Sequence, residues 1–332
     1  MVSVEQQRRR ARVDPGYSLA LLSGALWGVG VVVWGIALTM APYAGASRWV
    51  VAPLVAGTLS EGLRGVWQVG LIAVRREWHE FSPLFHGGAG TLDTVLATLI
   101  GGPFSASCMY LSIAFAGVAY SATITAASPV FAALVGWIFL KDRLTAVSWG
   151  GIILTVAGAV TVSYRPPAQA SPHFYLGVAF ALLAALGWAF EGLFSKRALR
   201  HVGVGAFSAV RQVGSFVVMA VALLPVVGGV GFFLGALGHP STLVLFASAA
   251  AGSLAYLFYF VSVHRIGPGR ALPLNLTNVM WAAVLGVLVV GETFSWQLAA
   301  GALLVIAGAF LVVRGEHGLK PADDVAELAQ MR

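Results

Sequence analysis

Residues 128–162, SPVFAALVGWIFLKDRLTAVSWGGIILTVAGAVTV, decide the fold, because an altered copy of this stretch returns later in the chain. The copy is NVMWAAVLGVLVVGETFSWQLAAGALLVIAGAFLV at 278–312, at a constant offset of 150 residues and without a gap. The identical positions include Ala132/Ala282, Ala133/Ala283, Gly136/Gly286, Gly151/Gly301, Leu154/Leu304 and Gly158/Gly308. The chain therefore contains two copies of one unit.

The composition of the chain predicts a membrane protein. Hydrophobic residues fill 58% of the 332 positions and charged residues only 10%, which is far from the balance of a water-soluble domain. We therefore expect the lipid bilayer to be the solvent and partner of this chain. The net charge of +7 lies in short connections between apolar runs, without interleaved aromatic residues, and this argues against nucleic-acid binding.

The sequence gives no sign of a metal site or cofactor. Cys108 is the single cysteine, so the chain can form neither an intrachain disulfide nor a thiolate cluster. The seven histidines lie in or beside predicted loops, and none has a second ligand at a suitable spacing. We expect no cofactor.

Ten apolar runs are long enough, at about 20 residues, to cross a bilayer as helices. They are 17–39, 46–74, 92–114, 118–140, 147–164, 174–195, 203–225, 241–263, 271–290 and 296–313. The first run is longer than the apolar core of a signal peptide, which favours a transmembrane helix. The predicted fold class is an all-α membrane protein with ten transmembrane helices.

Basic residues indicate the orientation of these spans, because cytoplasmic loops retain Lys and Arg. Their distribution places both termini in the cytoplasm, in a multi-pass protein of the cell inner (plasma) membrane. Since the offset of 150 pairs span 4 with 9 and span 5 with 10, each half has five spans and the second half is inverted. The predicted order is a cytoplasmic tail (1–16), a first repeat (17–164), a linker (165–173), a second repeat (174–313) and a cytoplasmic tail (314–332).

Spans 5 and 10 carry glycines two helical turns apart, which flatten one helix face for close packing. They are Gly151 and Gly158 in the first copy and Gly301 and Gly308 in the second. Two interpretations stay open. The flat faces pack within the chain of a monomer, or they form the seam of a homodimer.

The duplicated segments resemble the EamA domain of the drug/metabolite transporter superfamily, over nearly all of residues 17–313. The resemblance is carried by Pro129, by FLKDRL at 139–144 with Asp142 in place of the family's usual glutamate, and by the glycines of spans 5 and 10. It implies a ten-helix permease but no particular substrate, since the superfamily moves amino acids, nucleotide sugars, choline-like amines and other metabolites. The second copy begins Asn278-Val279 where the first begins Ser128-Pro129, so we expect the ninth helix to lack the kink of the fourth.

Polar side chains within span 2 are candidates for the substrate site. Glu61 and Arg64 are three residues apart and Gln68 follows one turn later, so the three share one helix face. A buried charge costs about 2.5–3.5 kcal/mol on insertion scales and needs a partner or a wet cavity. We expect this face to line a substrate cavity, with Glu61 as the first candidate for proton coupling. A structural Glu61–Arg64 ion pair is the alternative.

Glu191 in span 6 and Arg211 in span 7 flank a charged loop and are expected near the cytoplasmic ends of their helices. They are candidates for an ion pair in gating or coupling. Arg48 is the repeat counterpart of Arg211 and is a candidate gate residue on the opposite side.

Aromatic and polar residues within other spans complete the predicted substrate site. Aromatic walls bind flat or cationic molecules by stacking and cation–π contacts, although packing in the core or against lipid would also explain them. The aromatic candidates are Trp27, Trp188, Trp281 and Tyr256, and the polar ones are Thr125, Asn275 and Asn278.

We expect a secondary-active transporter of a small polar metabolite that works by alternating access, with export as the expected direction. No G-x-x-x-x-G-K-[ST] motif is present, so the energy must come from a gradient or a partner. The pair Glu61/Arg64 favours amino acids or related zwitterions, whereas an aromatic box with a carboxylate would favour organic cations such as quaternary amines. A lipid-modifying membrane enzyme is the alternative from another class, and its nearest support is the cluster of Glu77, His79, Glu80 and His86. We expect the protein not to be an enzyme.

Overall fold

The computed structural model describes residues 14–44, 50–116, 118–163, 173–290 and 296–315. These residues form helices and no strand, as predicted for an all-α protein. The main helices are α1 (Pro15–Leu38), α2 (Val51–Arg75), α3 (Ala89–Leu99, Ile100–Phe104 and Ser105–Ala116), α4 (Val118–Thr125, Ser128–Val135 and Gly136–Leu140), α5 (Ala146–Ser163), α6 (Phe174–Ala198), α7 (Val204–Val218, Met219–Leu223 and Leu224–Val226), α8 (Pro240–Ile266), α9 (Pro268–Asn275, Asn278–Leu285 and Gly286–Val290) and α10 (Trp296–Arg314).

Helix ends in the structure follow local sequence signals. The Asp14 carboxylate accepts a hydrogen bond from the Gly16 amide at 2.6 Å, and Pro15 occupies the first turn of α1. Proline also begins α8 and α9. At the C-terminal end of α2, Arg76 has a left-handed backbone with φ of 57°, and this conformation ends the helix.

Six helices in the described part of the chain are long and apolar enough to cross a membrane. They are Pro15–Leu38, Ala89–Ile113, Phe174–Ala198, Val204–Val226, Pro240–Ile266 and Pro268–Val289. Shorter apolar helices cover Ser128–Leu140, Ala146–Thr161 and Ala299–Arg314. α2 is 25 residues long but carries Glu61, Arg64 and Arg75. These lengths support a multi-pass membrane protein, while the predicted ten crossings need α2 and the shorter helices as well.

Both α4 and α9 are interrupted at the same place in the repeat, so the expectation of an unbroken ninth helix was wrong. α4 is interrupted between Thr125 and Ser128, and α9 between Asn275 and Asn278. The Thr277 hydroxyl donates to the Leu274 carbonyl at 2.8 Å and thereby competes with the backbone ladder. The break in α9 therefore occurs without a counterpart of Pro129, which lies in the first turn of the second part of α4.

Helix packing repeats between the two halves. α1 packs against α8, and α3 packs against α6. In the repeat, α6 is the counterpart of α1 and α8 is the counterpart of α3. The two contacts are therefore equivalent. α2 packs against α7, α4 against α9 and α5 against α10, so these helices each contact their own counterpart. Such a pattern is what a two-fold relation between the halves requires.

The flat glycine faces of α5 and α10 contact each other within the chain. A Cβ atom on Gly151 would lie 2.7 Å from the Gly308 carbonyl oxygen, and one on Gly158 would lie 2.7 Å from that of Gly301. A side chain at these positions would force the two helices apart. These faces are therefore occupied inside one molecule, and a homodimer would need a different surface.

Candidate functional site

A cavity of about 360 Å³ lies among α1, α3, α4, α6, α8 and α9. Its wall carries four large aromatic rings, those of Trp27, Trp188, Tyr256 and Tyr259. Glu191 adds a carboxylate, and none of the described residues that line the cavity is Lys, Arg or His. The cavity thus combines aromatic surface with one acidic group.

The aromatic wall is held by contacts between helices. The rings of Trp27 on α1 and Tyr256 on α8 meet edge to face, with centroids 4.7 Å apart. Ser23 also lines the cavity one turn before Trp27, so its position on the same face of α1 could have been recognised from the helical period.

The interruptions of α4 and α9 supply the polar part of the cavity wall. Thr125 and Ser128 flank the break in α4, and Asn275 and Asn278 flank the break in α9. The Asn275 amide donates to the Ser23 hydroxyl at 2.8 Å, so part of this polarity already serves to join α9 to α1. Six of the predicted substrate-binding residues line the cavity, namely Trp27, Thr125, Trp188, Tyr256, Asn275 and Asn278.

A cluster of four charged side chains lies behind the cavity. Arg211 Nη1 donates to Glu61 Oε2 at 2.7 Å, and Arg211 Nε donates to Glu191 Oε1 at 2.7 Å. Arg64 Nη2 donates to Glu61 Oε1 at 2.6 Å. Arg211, Glu61 and Glu191 are only 1%, 2% and 4% exposed. Buried charges are costly unless they are paired, and here two guanidinium groups balance two carboxylates.

Glu61, Arg64 and Gln68 share one face of α2, as predicted, but the structure does not place them in the cavity wall. This face packs against α7 and α8 instead. Gln68 Oε1 accepts a hydrogen bond from the Ser253 hydroxyl on α8 at 2.6 Å. The helical period identified a polar face, but the neighbouring helices decide what covers it.

Glu191 and Arg211 form the predicted ion pair, but they lie deeper than expected. Arg211 also contacts Glu61, which is near the middle of α2, and Glu191 lines the cavity. The pair therefore belongs to a larger buried cluster, and its role in gating or coupling stays a prediction. Arg48 lies outside the described residues.

Trp281 lies outside the cavity wall and is 40% exposed. Its Cβ atom would be 2.6 Å from a Cβ on Gly28, so it packs close to the backbone of α1.

Sequence reasoning also missed Gln212, whose Oε1 accepts a hydrogen bond from Arg211 at 3.3 Å. Its position directly after Arg211 gave no signal, because neighbours in a helix usually point in different directions.

The described helices and their length define an all-helical protein of the multi-pass membrane class. Residues 14–164 and 175–314 match the EamA-like transporter family, and the chain belongs to this family. The chain is 23% identical to Protein LicB of Haemophilus influenzae over 304 residues, which is 91% of this chain and 99% of that protein. It is 22% identical over 229 residues to an uncharacterized transporter of Clostridium kluyveri, covering 68% of this chain and 72% of the relative. One crystal structure shares the fold with a TM-score of 0.69 at 15% identity, covering 92% of this chain and 99% of the other.

Proposed function

We propose that this protein is a secondary-active transporter that carries a small organic cation through the aromatic cavity by alternating access. The observation that supports this cargo is the composition of the cavity wall, in which four aromatic rings accompany Glu191 and no basic side chain among the described residues. A cation over an aromatic face gains about 0.5–2 kcal/mol, depending on how well water is excluded. Several such faces around one carboxylate suit a protonated or quaternary amine.

Amino acids and related zwitterions, expected from the sequence, have less support as cargo. Their carboxylate group would need a cationic partner, yet Arg64 and Arg211 do not line the cavity. Both arginines also hold the carboxylate groups of the buried cluster. A zwitterion site of the kind predicted requires Glu61 and Arg64 to face the cargo, and neither residue is part of the described cavity wall.

Glu191 replaces Glu61 as the candidate for proton coupling in this proposal. It is the carboxylate that faces the cavity, and only its Oε1 atom takes part in a hydrogen bond with the described residues. The Glu191 carboxylate would therefore bind either a proton or the cargo cation, but not both at the same time. Export remains the expected direction.

The membrane arrangement proposed with this function is an inverted pair of five-helix repeats, with both termini in the cytoplasm of the inner membrane. The matched packing of the two halves supports this arrangement. Interrupted helices beside a central cavity also support it, because transporters place substrate sites where helices are broken at mid-membrane.

The lipid-modifying enzyme has little support, since residues of its proposed cluster have structural roles. The Glu80 carboxylate accepts a hydrogen bond from the Ala206 amide at 3.1 Å, at the beginning of α7. His86 Nδ1 contacts the Ser82 carbonyl at 2.7 Å in the short helix that follows α2.

Counterflow in proteoliposomes tests the proposed function. Vesicles loaded with one unlabelled amine or amino acid are assayed for uptake of the same labelled compound, over a panel of both classes. We expect exchange of tertiary and quaternary amines and none of amino acids. Exchange of amino acids without amines would favour the zwitterion transporter, and exchange of neither class would reject the proposal.

A further inference from the structure

We infer that Arg64 is an internal competitor of the cargo, because its guanidinium group occupies aromatic faces that an organic cation would use. The inference rests on the proposed function and assigns Arg64 a role in setting affinity and specificity. Arg64 and the cargo would exclude each other at the Trp27 ring, whereas the Tyr256 ring is also covered by Arg211.

The guanidinium group of Arg64 lies close to two of the aromatic rings of the cavity wall. Its central carbon lies 5.6 Å from the centroid of the Trp27 ring and 5.6 Å from that of Tyr256. Both rings line the cavity, although Arg64 itself does not. These distances are within the range at which a cation is attracted to a ring face. Arg64 thus holds a cation against two of the four cavity rings, and Arg211 holds a second cation 4.5 Å from the centroid of the Tyr256 ring.

Arg64 is held less firmly than Arg211. Arg211 is paired with two carboxylates, donates a further hydrogen bond to Gln212 Oε1 and is almost fully buried. Arg64 is paired with Glu61 alone and is 13% exposed, and its buried Nε atom has no hydrogen-bond partner among the described residues. Movement of Arg64 therefore breaks one ion pair, whereas Glu61 keeps its second partner.

The backbone next to Arg64 leaves room for its side chain. A Cβ atom on Gly252 of α8 would lie 3.1 Å from Arg64 Cδ, so a larger residue there would press on the arginine stem. The glycine allows Arg64 to cross from α2 to the aromatic rings.

Removal of the Arg64 charge has two effects that act in the same direction. It frees the face of Trp27, although Arg211 stays 4.5 Å from the centroid of the Tyr256 ring, and it leaves the cluster with two carboxylates and one guanidinium group. The resulting net charge of about −1 behind the cavity attracts a cation more strongly. We therefore expect loss of Arg64 to tighten cation binding, whereas the zwitterion transporter requires Arg64 to bind the cargo.

Binding of tetramethylammonium to the detergent-solubilised full chain tests this inference by titration calorimetry. Arg64→Gln should lower Kd about tenfold, the equivalent of ~1.4 kcal/mol. Arg64→Lys keeps the charge and should stay near the wild-type Kd. An unchanged or higher Kd in Arg64→Gln, with measurable wild-type binding, would overturn the inference and leave the proposed function standing. Absence of binding to all three proteins would overturn both, and binding to Arg64→Gln alone would support the inference.

Discussion

Arg211 joins α7 to the two buried carboxylates, Glu61 of α2 and Glu191 of α6, by hydrogen bonds of 2.7 Å each. Arg211→Gln would leave one of these carboxylates without a cationic partner. Breaking a buried ion pair by removing one member typically costs about 3–5 kcal/mol. We expect a clear fall in the thermal unfolding midpoint of the detergent-solubilised protein.

Arg64→Gln is the matched control for this prediction, because Glu61 keeps its bond to Arg211 when Arg64 is lost. Its midpoint should fall much less. Equal losses in the two variants would mean that Arg211 does not stabilise the cluster in the way described.

Asp142 lies in the connection between α4 and α5 and makes stability depend on pH. Burial raises the pKa of its carboxyl group above the usual 3.8, while Arg270, Lys196 and Arg200 act in the opposite direction. The folded protein therefore binds this proton more tightly than the unfolded chain, and its stability falls as pH rises through the interval between the two pKa values.

Asp142→Asn removes this titration and provides the test. Between about pH 4 and about pH 7, the unfolding midpoint of the wild type should fall relative to that of Asp142→Asn. A difference that stays constant over this range, or that changes in the opposite direction, would contradict the assignment.

At the residue scale, the sequence predicted which side chains could bind a substrate better than it predicted which residues surround them. Mid-span Trp27, Trp188 and Tyr256 were predicted to line a cavity, and they do. Glu61 and Arg64 were predicted to line it as well, but they are absent from the described cavity wall. A helical period shows which residues share a face, and it contains no information about which helix covers that face.

At the level of helices, the α5–α10 contact depends on glycine. Gly151→Ala would place a methyl group 2.7 Å from the Gly308 carbonyl oxygen, and overpacking of this kind typically costs about 1–3 kcal/mol. We expect a lower unfolding midpoint for Gly151→Ala. Gly150→Ala is the matched control, since a Cβ there meets nothing within 4 Å, and it should be neutral or slightly stabilising. Similar behaviour of the two variants would contradict close packing of α5 against α10.

The interruption of α9 shows why helix breaks are harder to predict than helices. The apolar runs predicted the helices themselves, and Pro129 indicated a kink in α4. At the break in α9 the Thr277 hydroxyl donates to the Leu274 carbonyl, and Pro273 lies within the part of the helix that precedes the break. Threonine is common within membrane helices, so its presence alone did not mark a break.

At the scale of the whole molecule, the proposed inverted repeat would place the two matching connections on opposite sides of the membrane. The sequence predicts residues 141–146 inside and 291–296 outside. Single cysteines, Arg143→Cys or Thr293→Cys, can be introduced after Cys108→Ala and treated in intact cells with an impermeant maleimide. We expect labelling of Thr293→Cys only. The inversion would be rejected if both cysteines, or neither of them, reacted in intact cells. The control is that both cysteines react equally once the cells are opened.

The central claim is that a cation is carried in the aromatic cavity, and two tryptophans test it most directly. Trp188 lines the cavity beside Glu191, whereas Trp281 lies outside the wall and is 40% exposed. The measurement compares uptake of a labelled quaternary amine into proteoliposomes by Trp188→Ala and Trp281→Ala. The account predicts at least about a tenfold loss of uptake at low amine concentration for Trp188→Ala, from lost cation–π binding, and near wild-type uptake for Trp281→Ala. Wild-type uptake by Trp188→Ala, or an equal loss in both variants, would contradict it.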